Sequence, residues 1–152
     1  SITDPNGIKR DIRIAGRADR FDIHESDASA AAVIDYKNQK IKKITQRAES
    51  ILDDPQLLIY ARGASENPVE ARIPGRGVEQ AEWVTLRADL KDAEKIVRVH
   101  PVEDMPAVMA EFSEQVVKDL NDLWARKPMT AFAPDSVCQY CEARGICRKG
   151  IW

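Results

Sequence analysis

Two charged residues in the first third of the chain, Asp35 and Lys37, have types and a spacing that fit either a functional site or a surface ion pair. Asp35 and Lys37 stand two apart at the end of the apolar run Ala31-Ala-Val-Ile-Asp-Tyr-Lys37. Side chains two apart in a strand project to the same face, so we expect Val33, Asp35 and Lys37 to lie on one face. Polar groups at the end of an apolar strand are costly unless they are paired or coordinate an ion. A surface ion pair uses the same spacing, so this pattern alone leaves both interpretations open.

The segments before and after this strand supply further polar groups. The run Gly16-Arg-Ala-Asp-Arg-Phe-Asp22 brings a second acid, Asp19. After the strand, Asp53-Asp-Pro55 is typical of a helix start, with the proline at the first helical position. Gln56 and Tyr60 follow four residues apart, on one face of the predicted helix. An ordinary half-buried position is the alternative interpretation for Tyr60.

Taken together, the three segments resemble the nuclease motifs of the RecB-like branch of the PD-(D/E)XK superfamily. The likeness is strongest to the AddB-type nuclease domains of bacterial helicase–nuclease complexes. The motifs are Gly16–Asp22, Val33–Lys37 and Gln56–Tyr60, and in order and spacing they cover about residues 11–64. The resemblance implies an α/β, restriction-endonuclease-like fold, with a mixed central sheet flanked by helices and a C-terminal cysteine-cluster tail.

The same resemblance implies a DNA nuclease that depends on Mg²⁺ or Mn²⁺, and it favours an exonuclease over an endonuclease without deciding between them. Asp19 and Asp35 would bind the metal through carboxylate oxygens. Lys37 would orient the attacking water or stabilise the extra negative charge of the transition state. Gln56 and Tyr60 would contact the active site and the DNA strand. We interpret the other acid of the first motif, Asp22, as a structural partner of Arg20 or of a backbone donor.

A second group of residues with metal chemistry lies near the C-terminus. Cys138, Cys141 and Cys147 form a C-x2-C-x5-C run, and such thiolates select zinc or an iron–sulfur cluster. Both centres normally take four protein ligands, so three thiolates need a fourth. In AddB-type nucleases a similar run joins an upstream cysteine to hold a 4Fe–4S cluster. The resemblance therefore implies that cluster in the full-length protein, with the fourth cysteine outside this chain; three free thiols are the alternative.

The composition is typical of one compact domain. It argues against a membrane-spanning protein and against a nucleic-acid binder that works through bulk positive charge. The chain has 152 residues, 43% of them apolar and 32% charged, and a formal net charge of −2. It contains no apolar run of about 20 residues and no signal peptide, so we expect a soluble, cytoplasmic protein without a membrane partner. A binder that works through bulk positive charge would have a basic excess, which is absent, so any DNA contact must come from local patches.

The elements that must position these residues follow from periodicity and turn signals. Asp4-Pro-Asn-Gly7 predicts a turn between two extended pieces. Val108 begins a row of apolar residues at every fourth position, which predicts a core-facing stripe on the last helix. The predicted strands cover residues 11–24, 31–37, 81–88 and 95–100, and the predicted helices cover residues 56 to about 63 and 104–127. Residues 64–80, and the lysines at positions 40, 42 and 43, are predicted to be loop.

We predict a single nuclease domain over residues 1–152, with an iron–sulfur-type tail at 134–152. A start inside a hairpin, without an initiator methionine, indicates an N-terminally truncated fragment. The N-terminal helix and histidine that the family usually carries ahead of the first motif do not occur in residues 1–10, which makes inactivity of the isolated fragment an open alternative. The implied partners are DNA and a helicase, either a separate subunit or a region of the same protein.

Three other functions remain as alternatives. The first is a nuclease of similar fold in another setting, such as a stand-alone exonuclease or a CRISPR-associated nuclease. The second is a catalytically silent module of the same fold that binds DNA or a partner subunit. The third is a small zinc-binding interaction domain, based on the three cysteines.

Overall fold

The computed structural model describes residues 1–27, 30–73, 77–86, 97–128, 138, 140–142 and 147. The chain divides into two compact units. The first unit comprises Ser1–Arg10 and Val117–Trp152, and the second comprises Asp11–Val116. The candidate active-site residues all belong to the second unit.

In the first unit, a short antiparallel hairpin joins β1 (Ile2–Thr3) to β2 (Lys9–Arg10). The buried carboxylate of Asp4 organises the turn, because it accepts hydrogen bonds from the backbone N–H groups of Asn6 and Ile8, each at 2.9 Å. Its other oxygen pairs with Nε of Arg10 at 2.8 Å. Gly7 has a φ of 78°, in the region that favours glycine. The turn predicted from Asp4-Pro-Asn-Gly7 is confirmed.

A four-stranded mixed sheet forms the centre of the second unit. Its strands are β3 (Arg20–Ile23), β4 (Ala31–Lys37), β5 (Val78–Leu86) and β6 (Val97–Pro101), in that spatial order. The pair β4–β5 is parallel, whereas β3–β4 and β5–β6 are antiparallel. The central strand β4 is buried along most of its length, since it has a neighbour on each side. The predicted mixed α/β fold is confirmed.

The parallel pair β4–β5 needs a crossover, and helices supply it. The crossover contains α1 (Ile41–Glu49), α2 (Gln56–Glu66) and α3 (Pro68–Ala71). Leu57 and Leu58 of α2 are fully buried in the main core, together with Ile44 of α1 and Val33 and Trp83 of the sheet. Each of these leucines contributes roughly 1.5–3 kcal/mol by leaving water. The core therefore fixes α2 against β4 and β5.

The last helix, α4 (Met105–Trp124), agrees with the predicted helix at 104–127. Met105 is buried in the core of the second unit, and Val108 and Phe112 pack against that core. The later members of the predicted stripe, Val116, Leu120 and Trp124, are half-buried. None of the helices in the described part of the chain combines the length and the apolar character that a membrane span requires.

Two predicted elements near the N-terminus of the second unit are wrong. The strand predicted for residues 11–24 is regular only at Arg20–Ile23, and residues 11–19 form neither helix nor strand. The loop predicted around the lysines is the helix α1, in which Lys42 and Lys43 are exposed and Ile44 is buried. The burial of Ile44 in the core, with Ala48 packed against the same core, stabilises this helix, and the charged residues Lys42 and Lys43 are on its exposed side.

The boundaries of α2 also differ from the prediction. Pro55 occupies the position before the helix rather than its first turn, and Asp54 pairs with Arg47 of α1 at 3.1 Å instead of capping α2. The helix does not stop at Gly63 but continues to Glu66, because Ala61 and Ala64 on either side of the glycine are buried. The loop predicted for residues 64–80 therefore contains the end of α2, all of α3 and the first residues of β5.

Candidate active site

A buried ion pair lies at the carboxyl end of the central strand. Lys37 Nζ is 2.5 Å from Asp35 Oδ2, and the two side chains are only 17% and 5% exposed. The shared face that the spacing predicts therefore holds a largely buried charged pair. Removing two charges from water is costly, and a pair that persists in this position needs additional polar contacts.

Gln56, the first residue of α2, supplies those contacts. Its Oε1 accepts a hydrogen bond from Lys37 Nζ at 2.8 Å. Its Nε2 donates to Asp35 Oδ1 at 3.3 Å and to the hydroxyl of Tyr60 at 3.0 Å. The amide has two N–H donors and an acceptor oxygen, and all three are used. Gln56 therefore bridges the cation, the anion and the phenol.

The position of Gln56 follows from the packing of α2. The buried face of this helix lies over β4 and β5, so its N-terminal turn is held beside the residues that end β4. Because Tyr60 is one turn further along the same face, its hydroxyl meets the Gln56 side chain. In sheets with parallel strands, ligands bind at the carboxyl ends of those strands, where this cluster lies.

Asp19 lies next to the ion pair along the edge of the sheet. Arg20 pairs with Ile34 at the end of the β3–β4 ladder, so the preceding residue, Asp19, lies beside Asp35 in the register. Asp19 is exposed, and its Oδ2 accepts a hydrogen bond from the backbone N–H of Tyr36 at 2.9 Å. The structure thus places all five candidate site residues at the carboxyl end of β4: Asp19, Asp35, Lys37, Gln56 and Tyr60.

The other acid of the first motif, Asp22, is bound to Arg20. The Arg20 guanidinium contacts the two carboxylate oxygens at 2.5 and 2.7 Å and donates a third hydrogen bond to the Tyr36 hydroxyl at 3.2 Å. These contacts raise the pKa of Arg20 above its ordinary value. In the register of β3 and β4, Asp22 pairs with Ala32 and therefore faces away from Asp35. The interpretation of Asp22 as the partner of Arg20 is confirmed.

Among the described residues, two carboxylates at this site, those of Asp19 and Asp35, are candidates for a metal ligand. Within the described residues, no group of three or more His, Cys, Asp and Glu side chains is close enough to hold a metal ion. Asp35 Oδ2 is buried and lies 2.5 Å from Lys37 Nζ, and among the described residues it has no hydrogen-bond partner of good geometry. A buried carboxylate oxygen beside a cation, with a second carboxylate at the edge, is a donor set suited to a hard divalent ion that retains water ligands.

Sequence analysis missed three buried polar residues on the same face of the sheet. Thr85 pairs with Lys37 in the β4–β5 register, Trp83 pairs with Asp35, and His100 pairs with Trp83. All three are buried, and among the described residues Thr85 Oγ1, Trp83 Nε1 and His100 Nε2 have no hydrogen-bond partner. Alternation along Ala81, Trp83 and Thr85 is the sequence signal that places Trp83 and Thr85 on one face, whereas the position of His100 follows from the β5–β6 register.

A cleft of about 620 Å³ opens beside Tyr60, between the irregular segment 12–18 and the outer side of α2. Ile12 and Ile14, which are 40% and 47% exposed, contribute to one wall, and Ile59 and Tyr60 contribute to the other. The cleft thus has both apolar and polar lining residues, and of the residues in the hydrogen-bonded cluster Tyr60 lines it.

The three cysteines lie outside the second unit, and most of the surrounding tail lies outside the described residues. Cys141 is exposed, Cys138 and Cys147 are half-buried, and none of the three forms a disulfide. The described positions do not gather them into a ligand set. The predicted tail at 134–152 therefore stays a prediction.

A comparison with models of known protein families places the chain in a family. A family model described as the PD-(D/E)XK nuclease superfamily matches residues 2–148, which is nearly the whole chain. Searches of curated proteins and of solved structures found no significant match. The matched range includes Asp19, Asp35, Lys37 and the crossover helices that position Gln56 and Tyr60.

Proposed function

Because the chain belongs to the PD-(D/E)XK nuclease superfamily, we propose that it is a metal-dependent nuclease that hydrolyses DNA phosphodiesters at the Asp35–Lys37 cluster. The observation that carries this proposal is the buried ion pair held by Gln56 at the end of β4. A purely structural surface pair would be exposed, whereas this pair is largely buried and both of its members contact the side-chain amide of Gln56.

Asp35 and Asp19 are the residues that would hold the metal, Mg²⁺ or Mn²⁺. When bound, such an ion neutralises negative charge on the scissile phosphate and lowers the pKa of a coordinated water. Two carboxylates are a small set, but Mg²⁺ commonly binds through one or two carboxylates and completes its shell with water and substrate oxygens. The buried Oδ2 of Asp35, which lacks a hydrogen bond within the described residues, is a suitable ligand atom.

Lys37 would act on the attacking side of the phosphate. The ammonium group of Lys37 has three N–H donors. Its contacts with Asp35 and Gln56 fix the orientation of the group. A fixed cation in a dry site stabilises developing negative charge more strongly than a mobile one in water, because it needs no reorganisation during the reaction. Gln56 and Tyr60 would therefore act by orienting this lysine and by contacting the DNA strand.

The setting of this activity is a finer proposal, which rests on the motif resemblance. We propose one nuclease domain over residues 1–152 that acts as an exonuclease of DNA repair or recombination with a helicase subunit or region as partner. The alternatives are a stand-alone or CRISPR-associated nuclease, and a silent DNA- or partner-binding module. Retention of Asp19, Asp35 and Lys37 in one cluster favours an active enzyme over the silent module.

The 4Fe–4S cluster is likewise proposed for the full-length protein, with Cys138, Cys141 and Cys147 as three of its ligands. Iron and acid-labile sulfide, measured on anaerobically purified full-length protein, should both be present and should fall when Cys141 is changed to Ser. Stoichiometric zinc without iron would overturn this proposal and favour the zinc-binding domain.

The nuclease proposal is tested on linear single-stranded and double-stranded DNA with Mg²⁺ or with EDTA. We expect Mg²⁺-dependent cleavage by the wild-type protein and a loss on the order of 100-fold or more in Asp35→Asn and Lys37→Met. The matched control is Lys118→Met, which changes an exposed lysine of α4 in the same way. Cleavage that survives in both site variants, or full-length protein that is folded and cluster-loaded yet inactive, would overturn the proposal.

A further inference from the structure

The irregular segment before β3 makes a close contact with the aromatic ring of Tyr60. A Cβ atom placed on Gly16 would lie 2.9 Å from Tyr60 Cε1 and 3.4 Å from Cδ1. A separation of 2.9 Å between two carbon atoms is much shorter than the 3.5–4.0 Å at which such a contact is most favourable. The backbone at Gly16 and the ring of Tyr60 are therefore packed so closely that any side chain larger than hydrogen would move one of them.

Backbone conformation does not explain the glycine. The φ angles of Gly7 and Gly77 are 78° and 88°, in the left-handed region, whereas the φ of Gly16 is not positive. The φ angle therefore does not require glycine at position 16, and the group that a side chain there would meet is the Tyr60 ring.

A displacement of Tyr60 would alter the Asp35–Lys37 ion pair through Gln56, which contacts all three residues. The Tyr60 hydroxyl accepts a hydrogen bond from Gln56 Nε2, and the same amide group contacts Asp35 Oδ1. The opposite end of the amide accepts from Lys37 Nζ at 2.8 Å. If the Tyr60 ring shifts, its hydroxyl shifts as well. The Gln56 amide, which is hydrogen-bonded to that hydroxyl, then loses the orientation in which it contacts both Asp35 and Lys37.

We propose that Gly16 is a positioning residue: its missing side chain seats the Tyr60 ring so that Gln56 holds Lys37 and Asp35 in place. The contact itself is independent of the reaction, while the consequence for catalysis rests on the proposed nuclease function.

A second glycine in the same two segments provides a matched control. A Cβ at Gly63 of α2 would lie 3.4 Å from Ile14 Cγ2, which is an ordinary van der Waals contact. Gly63→Ala therefore makes the same chemical change where the irregular segment meets α2, but away from the Tyr60 ring. It also places a better helix former within α2.

The first measurement is a double-variant cycle in chemical unfolding, with Gly16→Ala, Tyr60→Ala and the combination. In the wild-type background we expect Gly16→Ala to raise the unfolding equilibrium constant roughly 10-fold, as overpacking does. In the Tyr60→Ala background, where the ring is gone, the same change should raise it by less than about twofold. Equal effects in both backgrounds would overturn the proposal, because residues in contact are coupled and independent ones are additive.

The second measurement follows the Gln56 side-chain amide by NMR, with its signals assigned by their loss in a Gln56→Leu variant. Gly16→Ala should shift these signals, and Gly63→Ala should leave them in place. Unshifted signals in Gly16→Ala would overturn the positioning role even if the protein were less stable.

The third measurement is cleavage. We expect Gly16→Ala to lower kcat by roughly 10-fold to 100-fold with a smaller change in KM, since a displacement of about 1 Å can cost that much, and Gly63→Ala to stay within about twofold of wild type. A wild-type protein without cleavage, whose amide signals still shift in Gly16→Ala, would refute the nuclease function and support the seating of Gln56. An active wild type with unchanged kcat in Gly16→Ala would refute the positioning role and leave the nuclease function standing.

Discussion

Removal of the Lys37 ammonium is the perturbation whose cost the structure determines most directly. In Lys37→Met, the side-chain stem keeps most of its packing, but Asp35 Oδ2 loses its cation at 2.5 Å. Within the described residues the carboxylate then keeps one weak hydrogen bond, from Gln56 Nε2 at 3.3 Å, and Gln56 Oε1 loses its donor. The change therefore leaves a charge that is 5% exposed without a partner of opposite sign.

The expected magnitude follows from the burial of the pair. Breaking a buried ion pair by removing one partner costs about 3–5 kcal/mol, because the remaining charge is desolvated and uncompensated. Lys37 is 17% exposed and Gln56 stays in place, so we expect the lower end, about 3 kcal/mol, in the free energy of unfolding. The paired neutral variant Asp35→Asn/Lys37→Met removes both charges, and it should recover roughly half of the loss.

The assay is urea unfolding at neutral pH in the presence of EDTA, with Lys118→Met as the matched control. The control should stay within about 0.5 kcal/mol of wild type, as surface substitutions do. If Lys37→Met were as stable as its control, or if the double variant were less stable than Lys37→Met, the assignment of a desolvated, mutually dependent pair would be wrong.

Addition of Mg²⁺ extends the same experiment to the proposed metal ligands. A cation at Asp35 would replace the missing positive charge, so Mg²⁺ should stabilise Lys37→Met by more than it stabilises Asp35→Asn. A ligand at 100 times its dissociation constant stabilises the folded state by about 2.7 kcal/mol. Equal stabilisation of the two variants would show that Asp35 is not a ligand, irrespective of any cleavage assay.

Three further predictions concern other residues. Thr85→Val should raise the melting temperature in thermal unfolding. The Thr85 hydroxyl is fully buried and has no hydrogen-bond partner among the described residues, and valine fills the same space. A lower melting temperature would show that this hydroxyl does form a hydrogen bond in the folded protein. Burial, together with Arg98, lowers the pKa of His100 below its ordinary 6.5. The unfolded state therefore binds the proton first, and the unfolding free energy should fall as the pH drops below about 6.5; this slope should shrink in His100→Gln. Asp4→Ala should lower the free energy of local opening of the β1–β2 turn by about 1–3 kcal/mol. Amide hydrogen exchange should therefore increase at Asn6 and Ile8, whose backbone N–H groups donate to the Asp4 carboxylate. Unchanged exchange would mean that these hydrogen bonds do not hold the turn.

Local patterns in the sequence were sufficient for the elements whose geometry depends on near neighbours. The two-residue spacing of Asp35 and Lys37 places them on one face because strand side chains alternate, and the four-residue spacing of Gln56 and Tyr60 places them on one helical face. The turn at Asp4–Gly7 and the helix that begins near Pro106 were predicted for the same reason. By contrast, α1 was missed because charged residues dominate its sequence and only packing of Ile44 reveals its buried face.

What the sequence by itself determined is the set of reactive groups and which of them share a strand face or a helix face. Only the tertiary structure decided that Gln56 bridges Lys37 and Asp35, that Asp19 bonds the backbone at Tyr36, and that Gly16 packs on the Tyr60 ring. These contacts join residues that are 17 to 44 positions apart. Their formation depends on how α2 and the irregular segment 11–19 pack on the sheet, and periodicity along the chain carries no information about that packing.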